Sequence, residues 1–207
     1  KDDSFINNNL GYVKNYKEKV IIPTKYKEVV VNESPSVCNK LFRKDTLKDY
    51  RFLEDSLFED IAFSYFMLMR TDKIVMLPNT NYFYRRDITK GISSKNYQKN
   101  ENVTDIFRVL DKLEDDVKKI NKYDVFKDQI KLIQLAYSLT RIYEINNWDI
   151  SLEEKEDIRN KMFAVIEKKY GALDNIDIAL LQSKCGMDVV DEYSNYLDNK
   201  KERPKSL

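Results

Sequence analysis

The sequence predicts an α+β protein that is predominantly helical, with a small mixed α/β half followed by a helical bundle. In the first 97 residues, short β-branched and aromatic runs surround one apolar helix, whereas later apolar residues recur at helical spacing. The 207 residues suffice for one large domain or two small ones. We therefore expect a mixed domain over residues 1–97, a helical domain over 98–198 and a disordered tail over 199–207.

Strand-forming residues dominate the segment that precedes the apolar helix. Residues 20–31 are rich in β-branched side chains but contain Pro23, which cannot donate to a β-ladder, so two short strands or one edge strand are expected. Residues 36–42 alternate in side-chain character and predict a further strand. Beyond the helix, a Pro-Asn turn is expected to join two more strands, over residues 73–77 and 82–85.

One apolar helix is expected in the middle of the mixed half. Ser56 and Glu59 have the spacing of a capping box, which predicts that the helix begins at Ser56. Residues 61–69 are apolar on nearly every side, so this helix is expected to be largely buried. Asp72 and Lys73 are expected to end it.

Helical periodicity governs the second half. Apolar residues recur every three or four positions from residue 103 to 120 and again from 126 to 142, which predicts helices. Ser151 and Glu154 form a second capping-box sequence, which opens a helix that extends to about residue 169. Further helices are expected over residues 175–183 and 187–198. Four or five helices joined by short loops are typical of a bundle.

Composition excludes several classes of function. The 36 basic and 35 acidic side chains nearly cancel, and a net charge of +1 argues against a dedicated nucleic-acid binder. Histidine is absent, which removes His-based catalysis and most zinc sites. The four glycines are too widely spaced for a dinucleotide- or phosphate-binding loop. Cys38 and Cys185 fit no metal-ligand spacing, so we expect free buried thiols in a reducing compartment, with a single disulfide as the alternative.

The printed residues carry no membrane or export signal. No apolar run approaches the roughly 20 residues that span a bilayer, so we expect no transmembrane segment. The chain begins with Lys1 rather than Met and shows no signal-peptide pattern. We therefore expect it to be a piece of a longer protein.

Three short motifs follow one another in the mixed half. They are Asn39-Lys40-Leu41-Phe42, then Glu59-Asp60 at the start of the apolar helix, then Tyr82-Phe83-Tyr84-Arg85. Their order and spacing resemble the acceptor-side half of bacterial family 2 glycosyltransferases, enzymes of the GT-A fold. The resemblance covers roughly residues 30–95, and it implies that this half is followed by a variable C-terminal helical region.

The resemblance implies a chemical role for the acidic pair. In that family a carboxylate deprotonates the acceptor hydroxyl, as inverting sugar transfer requires, and the aspartate, here Asp60, is usually the base. Glu59 is the second candidate catalytic residue, although an acid at this place can also close a capping box and favours the helix dipole. A helix N-terminus lowers the pKa of Asp60 and burial raises it, and the sequence leaves open which effect is larger.

The same resemblance implies substrate-binding roles for six other residues. They are Asn39 and Lys40 in the first motif, and Tyr84, Arg85, Arg86 and Ser93 in and after the third. The first pair would lie near the sugar and the acceptor, with an ordinary solvated strand as the alternative. The arginines and the serine-containing loop would lie near the nucleotide diphosphate, which arginine can contact through two donors. A core aromatic strand with solvated arginines is the alternative there.

The whole enzyme would transfer a sugar from a nucleotide-sugar donor to a glycan acceptor in bacterial polysaccharide synthesis. Such enzymes use Mg²⁺ or Mn²⁺ held by an Asp-x-Asp motif, which these residues lack. We therefore expect no cofactor or metal site here and no activity from these residues alone. The expected location is the cytoplasm, with peripheral association at the inner face of the membrane as an option and no nucleic-acid partner. A non-catalytic helical module that binds a partner protein is the alternative function.

Overall fold

The computed structural model describes residues 20–48, 50–77, 82 and 104–201. Within these residues the chain forms eight helices and one two-stranded sheet, which confirms a predominantly helical protein. The GT-A arrangement of the mixed half stays a prediction. In chain order the elements are β1 (Val20–Ile21), α1 (Glu28–Asn32), α2 (Lys44–Leu47), α3 (Glu59–Arg70), β2 (Ile74–Val75), α4 (Asp105–Lys119), α5 (Tyr123–Ile145), α6 (Leu152–Tyr170), α7 (Ile178–Cys185) and α8 (Met187–Lys201).

The small sheet pairs β1 with β2 in antiparallel orientation. The register places Val20 opposite Val75 and Ile21 opposite Ile74. Of the strand expected over residues 20–31, only the first two residues are therefore in a strand. β2 lies inside the strand expected over residues 73–77 and is shorter than predicted.

A helix replaces the second part of the first predicted strand. α1 contains Val29, Val30 and Val31, three β-branched residues that were expected in a strand. All three are buried, and α1 packs against α3. The strand prediction is wrong here because burial against a helix outweighs intrinsic β-propensity, which is the smaller and more context-dependent effect.

The strand expected over residues 36–42 is also wrong, because these residues form turns and bends. The Ser34 hydroxyl accepts a hydrogen bond from the Ser36 amide at 3.2 Å, and the Ser36 hydroxyl accepts one from the Cys38 amide at 3.3 Å. Serine hydroxyls offer the backbone a local alternative to a β-ladder. These bonds use donors that a strand would have directed to a neighbouring strand.

The burial predicted for the apolar helix is confirmed by α3, in which every residue from 61 to 69 is buried. α3 ends at Arg70, before Asp72, as the sequence predicts. The Lys122 ammonium donates to the last carbonyls, those of Met69 at 3.1 Å and Arg70 at 2.9 Å. These bonds satisfy acceptors that have no partner inside the helix.

The start of α3 differs from the prediction, because α3 begins at Glu59 rather than at Ser56. Phe58 lies in the left-handed region at φ 65° and turns the chain into the helix without a side-chain cap. The Ser56 hydroxyl donates instead to the carbonyl of Leu57 at 3.0 Å. The capping box predicted at Ser56 is therefore wrong.

Contacts within the chain group it into two compact units. The first comprises Lys1–Ile88 and Phe107–Gln129, and the second comprises Thr89–Ile106 and Ile130–Leu207. Most of α4 therefore belongs with the first unit, although α4 follows the domain boundary expected near residue 97.

Side-chain bonds hold α4 in the first unit. The Tyr50 hydroxyl donates to Oδ2 of Asp116 at 2.9 Å, and the Arg108 guanidinium donates to the carbonyl of Asp55. The apolar face of α4 is fully buried at Leu110. From residue 107 onward, the apolar stripe predicted for this helix is therefore buried within the first unit.

The second unit follows the predicted helical pattern more closely. The Ser151 hydroxyl accepts from the Glu154 amide at 3.2 Å, and the Glu154 carboxylate accepts from the Ser151 amide at 3.0 Å, which confirms this capping box. α6 ends at Tyr170, close to the predicted end. α8 extends to Lys201, so residues 199–201 are helical rather than part of the expected tail.

Both cysteines are free thiols, which excludes the disulfide alternative. Cys185 is buried as expected, whereas Cys38 is exposed. Burial raises the pKa of the Cys185 thiol to about 12, so this thiol stays protonated at neutral pH.

Candidate functional site

The first two motifs meet at the start of α3. Asp60 is the second residue of α3, and its carboxylate and the Lys40 ammonium act on each other electrostatically. Three positions after Asp60, the Phe63 ring packs edge-on against Phe42, with centroids 5.4 Å apart. Because positions i and i+3 are neighbours on a helix surface, Asp60 and Phe63 share one side of α3. The structure thus brings Lys40 and Phe42 to the side of α3 that carries Asp60.

Lys40 fastens the loop that precedes this contact instead of extending into solvent. Its ammonium donates to the carbonyls of Ser34 and Ser36 at 2.6 and 2.9 Å and to Oδ1 of Asn39 at 2.8 Å. Nζ also lies 3.8 Å from Oε2 of Glu33, and the Lys40 side chain is only 11% exposed. All three ammonium donors are in use. The solvated alternative for Lys40 is therefore wrong, and Lys40 holds Asn39 in place.

The same loop is bonded to α3 from the helix side. The Ser64 hydroxyl donates to the carbonyl of Pro35, and the Tyr65 hydroxyl donates to the carbonyl of Glu33 at 3.3 Å. Ser64 and Tyr65 are both buried. The loop is therefore hydrogen-bonded to the second turn of α3, the turn that follows the one containing Asp60.

Burial and the neighbouring Glu59 carboxylate raise the pKa of Asp60 above its ordinary value. Hydrogen bonds from the backbone amides of Asp60 and Ile61, together with the charge of Lys40, act in the opposite direction but are smaller in total. For the pKa of Asp60, burial therefore outweighs the effect of the helix N-terminus. This answers the question that the sequence leaves open. A carboxylate with a raised pKa is a stronger proton acceptor when it is ionised.

Glu59 supplies the like charge next to Asp60. It is the first residue of α3, and no side chain caps this helix, so Glu59 does not act in a capping box. A second carboxylate at an adjacent position disfavours the ionised form of the first. Glu59 is thus placed to tune the pKa of Asp60, while its own charge still favours the helix N-terminus.

A cavity of about 480 Å³ lies on the same part of α3, because Phe63 forms part of its wall. Phe52 stacks on Phe63 with ring centroids 4.3 Å apart and an interplanar angle of 20°. The lining also includes Lys44, Lys48, Tyr50 and Arg51. The sequence-based predictions miss these residues. The available signal is the interleaving of basic and aromatic side chains within residues 44–52.

Tyr50 is a fixed part of the cavity wall. Its ring stacks on Phe66 with centroids 4.2 Å apart, and its hydroxyl donates to Asp116. Asp116 also accepts from Lys112 at 2.6 Å and from Lys119 at 2.8 Å. Burial and the Asp116 charge raise the pKa of Tyr50, so its hydroxyl stays a protonated donor. The wall therefore cannot reorganise without breaking this network.

Of the third motif, Tyr82-Phe83-Tyr84-Arg85, only Tyr82 is among the described residues. Tyr84, Arg85, Arg86 and Ser93 lie outside the described residues, so their binding roles stay predictions. Tyr82 is described; it is exposed and has no regular secondary structure, so the strand expected from residue 82 does not include it.

Within the described ranges, no group of three or more His, Cys, Asp or Glu side chains could hold a metal ion. No step proposed below passes through a metal. Among the helices of the described part of the chain, none is long and apolar enough to cross a membrane. Comparison with protein-family models, with curated proteins and with solved structures finds no match for this chain.

Proposed function

We propose that this chain is the acceptor-side part of a bacterial inverting glycosyltransferase, similar to those of family 2, with Asp60 as the general base. One observation carries the proposal: Asp60 combines a raised pKa with a position at the start of a buried helix. Enzymes commonly raise the pKa of a catalytic carboxylate by burial and by neighbouring charge. A nucleotide sugar as donor, a glycan as acceptor and polysaccharide synthesis on the cytoplasmic side are parts of this proposal.

The proposed reaction balances as a single displacement. An acceptor hydroxyl oxygen attacks the anomeric carbon of the donor sugar from the face opposite the nucleotide diphosphate. The new carbon–oxygen bond forms as the bond to the diphosphate breaks, and the diphosphate leaves with the electron pair. Asp60 accepts the hydroxyl proton, so the oxygen becomes a stronger nucleophile as it attacks. Attack from the opposite face inverts the anomeric centre.

The residues around Asp60 have positioning roles in this proposal. A base acts efficiently only when it is held within hydrogen-bond reach of the proton that it accepts. The buried α3 fixes the backbone at Asp60, and Lys40, held by the loop carbonyls, acts on its carboxylate as a nearby cation. Glu59 acts through the pKa of Asp60. Donor binding belongs to other parts of the protein, where the proposal assigns phosphate contacts to Arg85 and Arg86, with Tyr84 and Ser93 beside them.

The test is sugar transfer by the complete enzyme that contains these residues. Asp60→Asn keeps the size of the side chain and removes the proton-accepting charge, so we expect kcat to fall by about 10²–10⁴-fold. Donor affinity and folding should stay close to those of the wild type. Glu59→Gln is the matched control, because it removes the neighbouring charge but leaves Asp60 in place.

The two variants also separate the competing interpretations. If Glu59→Gln abolishes transfer and Asp60→Asn does not, the assignment within the acidic pair is reversed. If neither change affects transfer, the catalytic interpretation fails and a non-catalytic module that binds a partner protein becomes the better account.

A further inference from the structure

The cavity beside α3 combines an aromatic floor with a basic rim, and the described structure gives no internal role to this combination. Phe63 forms the inner part of the floor and is nearly fully buried, whereas Phe52 stacks on it and is 43% exposed. One face of the Phe52 ring is therefore covered by protein and the other is open to the cavity. An exposed aromatic face beside a cavity is a platform on which a ring of a ligand can pack.

Three cationic side chains surround this platform. Lys44, Lys48 and Arg51 line the cavity, and all three are exposed. The Arg51 guanidinium is anchored at one end, because its Nη1 donates to the carbonyl of Lys48 at 3.2 Å and to that of Tyr50 at 3.1 Å. Anchoring through one nitrogen leaves other guanidinium donors for an anion.

The one described acid within residues 44–52, Asp45, is paired with Arg43, which is not among the residues that line the cavity. The Asp45 carboxylate is bonded to Arg43, with Nε 3.1 Å from Oδ1 and Nη2 2.5 Å from Oδ2. Asp45 and Arg43 therefore neutralise each other. Lys44 and Lys48 keep their charges for a ligand in the cavity. The charged side chains that line the cavity are all cationic, and charge complementarity favours an anionic ligand.

We propose that this cavity binds an acidic sugar, with the sugar ring on Phe52 and a carboxylate or phosphate group against Lys44, Lys48 and Arg51. A volume of about 480 Å³ lies within the range of roughly 300–1,000 Å³ that is typical of small-molecule sites. Lysine and arginine both recognise such anions, arginine through two parallel donors. The cavity would therefore bind a sugar ring with a negatively charged substituent, either a carboxylate or a phosphate.

The position of the cavity favours the acceptor over the donor nucleotide as its occupant. Phe63, which lines the cavity, and Asp60, which does not, are three positions apart on one side of α3, so the cavity lies on the part of the helix that carries the proposed base. That part of the inference rests on the proposed function: if Asp60 is the base, the acceptor glycan is acidic. The binding of an acidic sugar does not itself depend on catalysis.

Titration calorimetry on the 207-residue chain tests the inference, with five probes: glucuronic acid, glucose 6-phosphate, glucose, inorganic phosphate and uridine monophosphate. We expect at least one acidic sugar to bind about tenfold or more tightly than glucose and than phosphate, because it makes both the ring contact and the ionic contact. Glucuronic acid and glucose 6-phosphate distinguish a carboxylate source from a phosphate source.

Variants then locate the bound sugar. Lys44→Gln combined with Lys48→Gln should weaken binding of the acidic sugar by about tenfold or more. The matched control combines Lys25→Gln with Lys73→Gln, which removes the same charge from two exposed lysines outside the cavity and should leave binding unchanged. Phe52→Ala should weaken binding as well. If Phe52→Ala impairs folding, Phe52→Leu keeps an apolar side chain but removes the flat face, and should also weaken binding.

Several results would overturn the inference. Equal binding of glucose would remove the anionic requirement, and equal binding of phosphate would remove the ring contact. Tighter binding of uridine monophosphate than of both acidic sugars would assign the cavity to a nucleotide. No binding of any acidic sugar, or an equal effect of the control pair, would also refute it. Asp60→Asn separates the two proposals, because it should lower kcat for transfer in the complete enzyme by about 10²–10⁴-fold and should not weaken the binding of the acidic sugar.

Discussion

Lys40 and Glu33 form an ion pair that is largely shielded from solvent, with Nζ 3.8 Å from Oε2 and side chains that are 11% and 15% exposed. Burial lowers the pKa of Lys40 and raises that of Glu33, while each charge opposes the shift of the other. At this distance the carboxylate is not a close hydrogen-bond partner, so the loop carbonyls provide the shorter contacts. The pair therefore fixes a cation near Asp60 without presenting a free ammonium.

Replacing Lys40 with Met should destabilise the protein, because the carbonyls of Ser34 and Ser36 lose their donor and Glu33 loses its counter-charge. We expect the free energy of unfolding to fall by about 1–3 kcal/mol, measured by urea denaturation. Lys25→Met is the control at an exposed position and should stay within about 0.5 kcal/mol of the wild type. An equally small change at Lys40 would show that the loop does not depend on its ammonium.

The pH dependence of transfer should report the environment of Asp60. Only the ionised carboxylate accepts a proton, so activity should be lost as the pH falls through the raised pKa of Asp60. Lys40→Met removes a nearby cation and should move this acidic limb to higher pH, whereas Glu59→Gln removes a like charge and should move it to lower pH. Profiles of kcat/KM against pH measure both shifts. Shifts of the two variants in the same direction would contradict the assignment of Asp60.

Asp60→Asn should become more stable relative to the wild type as the pH rises. The pKa of Asp60 is higher in the folded protein than in the unfolded chain. The protonated group therefore contributes stability below the unfolded pKa, and this contribution disappears as the pH rises through the folded pKa. Thermal unfolding of both proteins at about pH 4 and about pH 8 measures the difference. A dipole role predicts the opposite sign at neutral pH, a loss of about 0.3–1 kcal/mol in the variant.

Tyr50→Phe should loosen the wall of the cavity. The change removes the hydrogen bond to Asp116 but keeps the ring on Phe66, so we expect a loss of about 0.5–1.5 kcal/mol in the free energy of unfolding. Tyr143→Phe, at an exposed tyrosine in the second unit, is the control and should change stability by less than about 0.5 kcal/mol. If the two variants behave alike, the Tyr50 hydroxyl does not contribute to the stability of the first unit.

Leu110→Ala and Ile133→Ala examine the cores of the two units separately. Leu110 lies in the part of α4 that belongs to the first unit and Ile133 in the part of α5 that belongs to the second, and both are almost fully buried. Each change should cost about 2–5 kcal/mol, because it removes apolar contacts and leaves a cavity. Leu152→Ala at an 82% exposed position is the control. Losses below about 0.5 kcal/mol at both buried sites would contradict the predicted apolar stripes.

The two capping-box sequences show how far local patterns predict this fold. Ser151 and Glu154 form the predicted pair of bonds, whereas Ser56 and Glu59 do not. Asp55, directly before Ser56, and Phe58, directly before Glu59, have positive φ values of 49° and 65°, and the carbonyl of Asp55 accepts from Arg108, 53 positions away. A contact at that distance in sequence selects the turn, so no pattern within four residues could have predicted it.

Hydrophobic periodicity predicted the elements whose only requirement is burial. It failed where the packing of neighbouring elements decides between a helix and a strand. The apolar run at residues 61–69 can only be stable when it is covered, and it is. Val29, Val30 and Val31 suit a strand or a buried helix equally well by hydrophobicity, and contact with α3 favours the helix. The cavity residues between 44 and 52 show no helical or strand periodicity. They line one cavity together, but they do not belong to a single helix or strand.

The burial of residues 61–69 in α3 has a consequence for how such a protein can diverge. A substitution at residues 61–69 disturbs the core, so the stretch that positions Asp60 tolerates little change. Lys44, Lys48, Arg51 and Phe52 are exposed, and side chains at exposed positions can be exchanged at small energetic cost. Under the proposed function, one segment would set the acceptor preference and another would position the carboxylate. Exchange of Lys44, Lys48, Arg51 and Phe52 for the residues of a related protein would then alter the acceptor preference and leave the position of Asp60 unchanged.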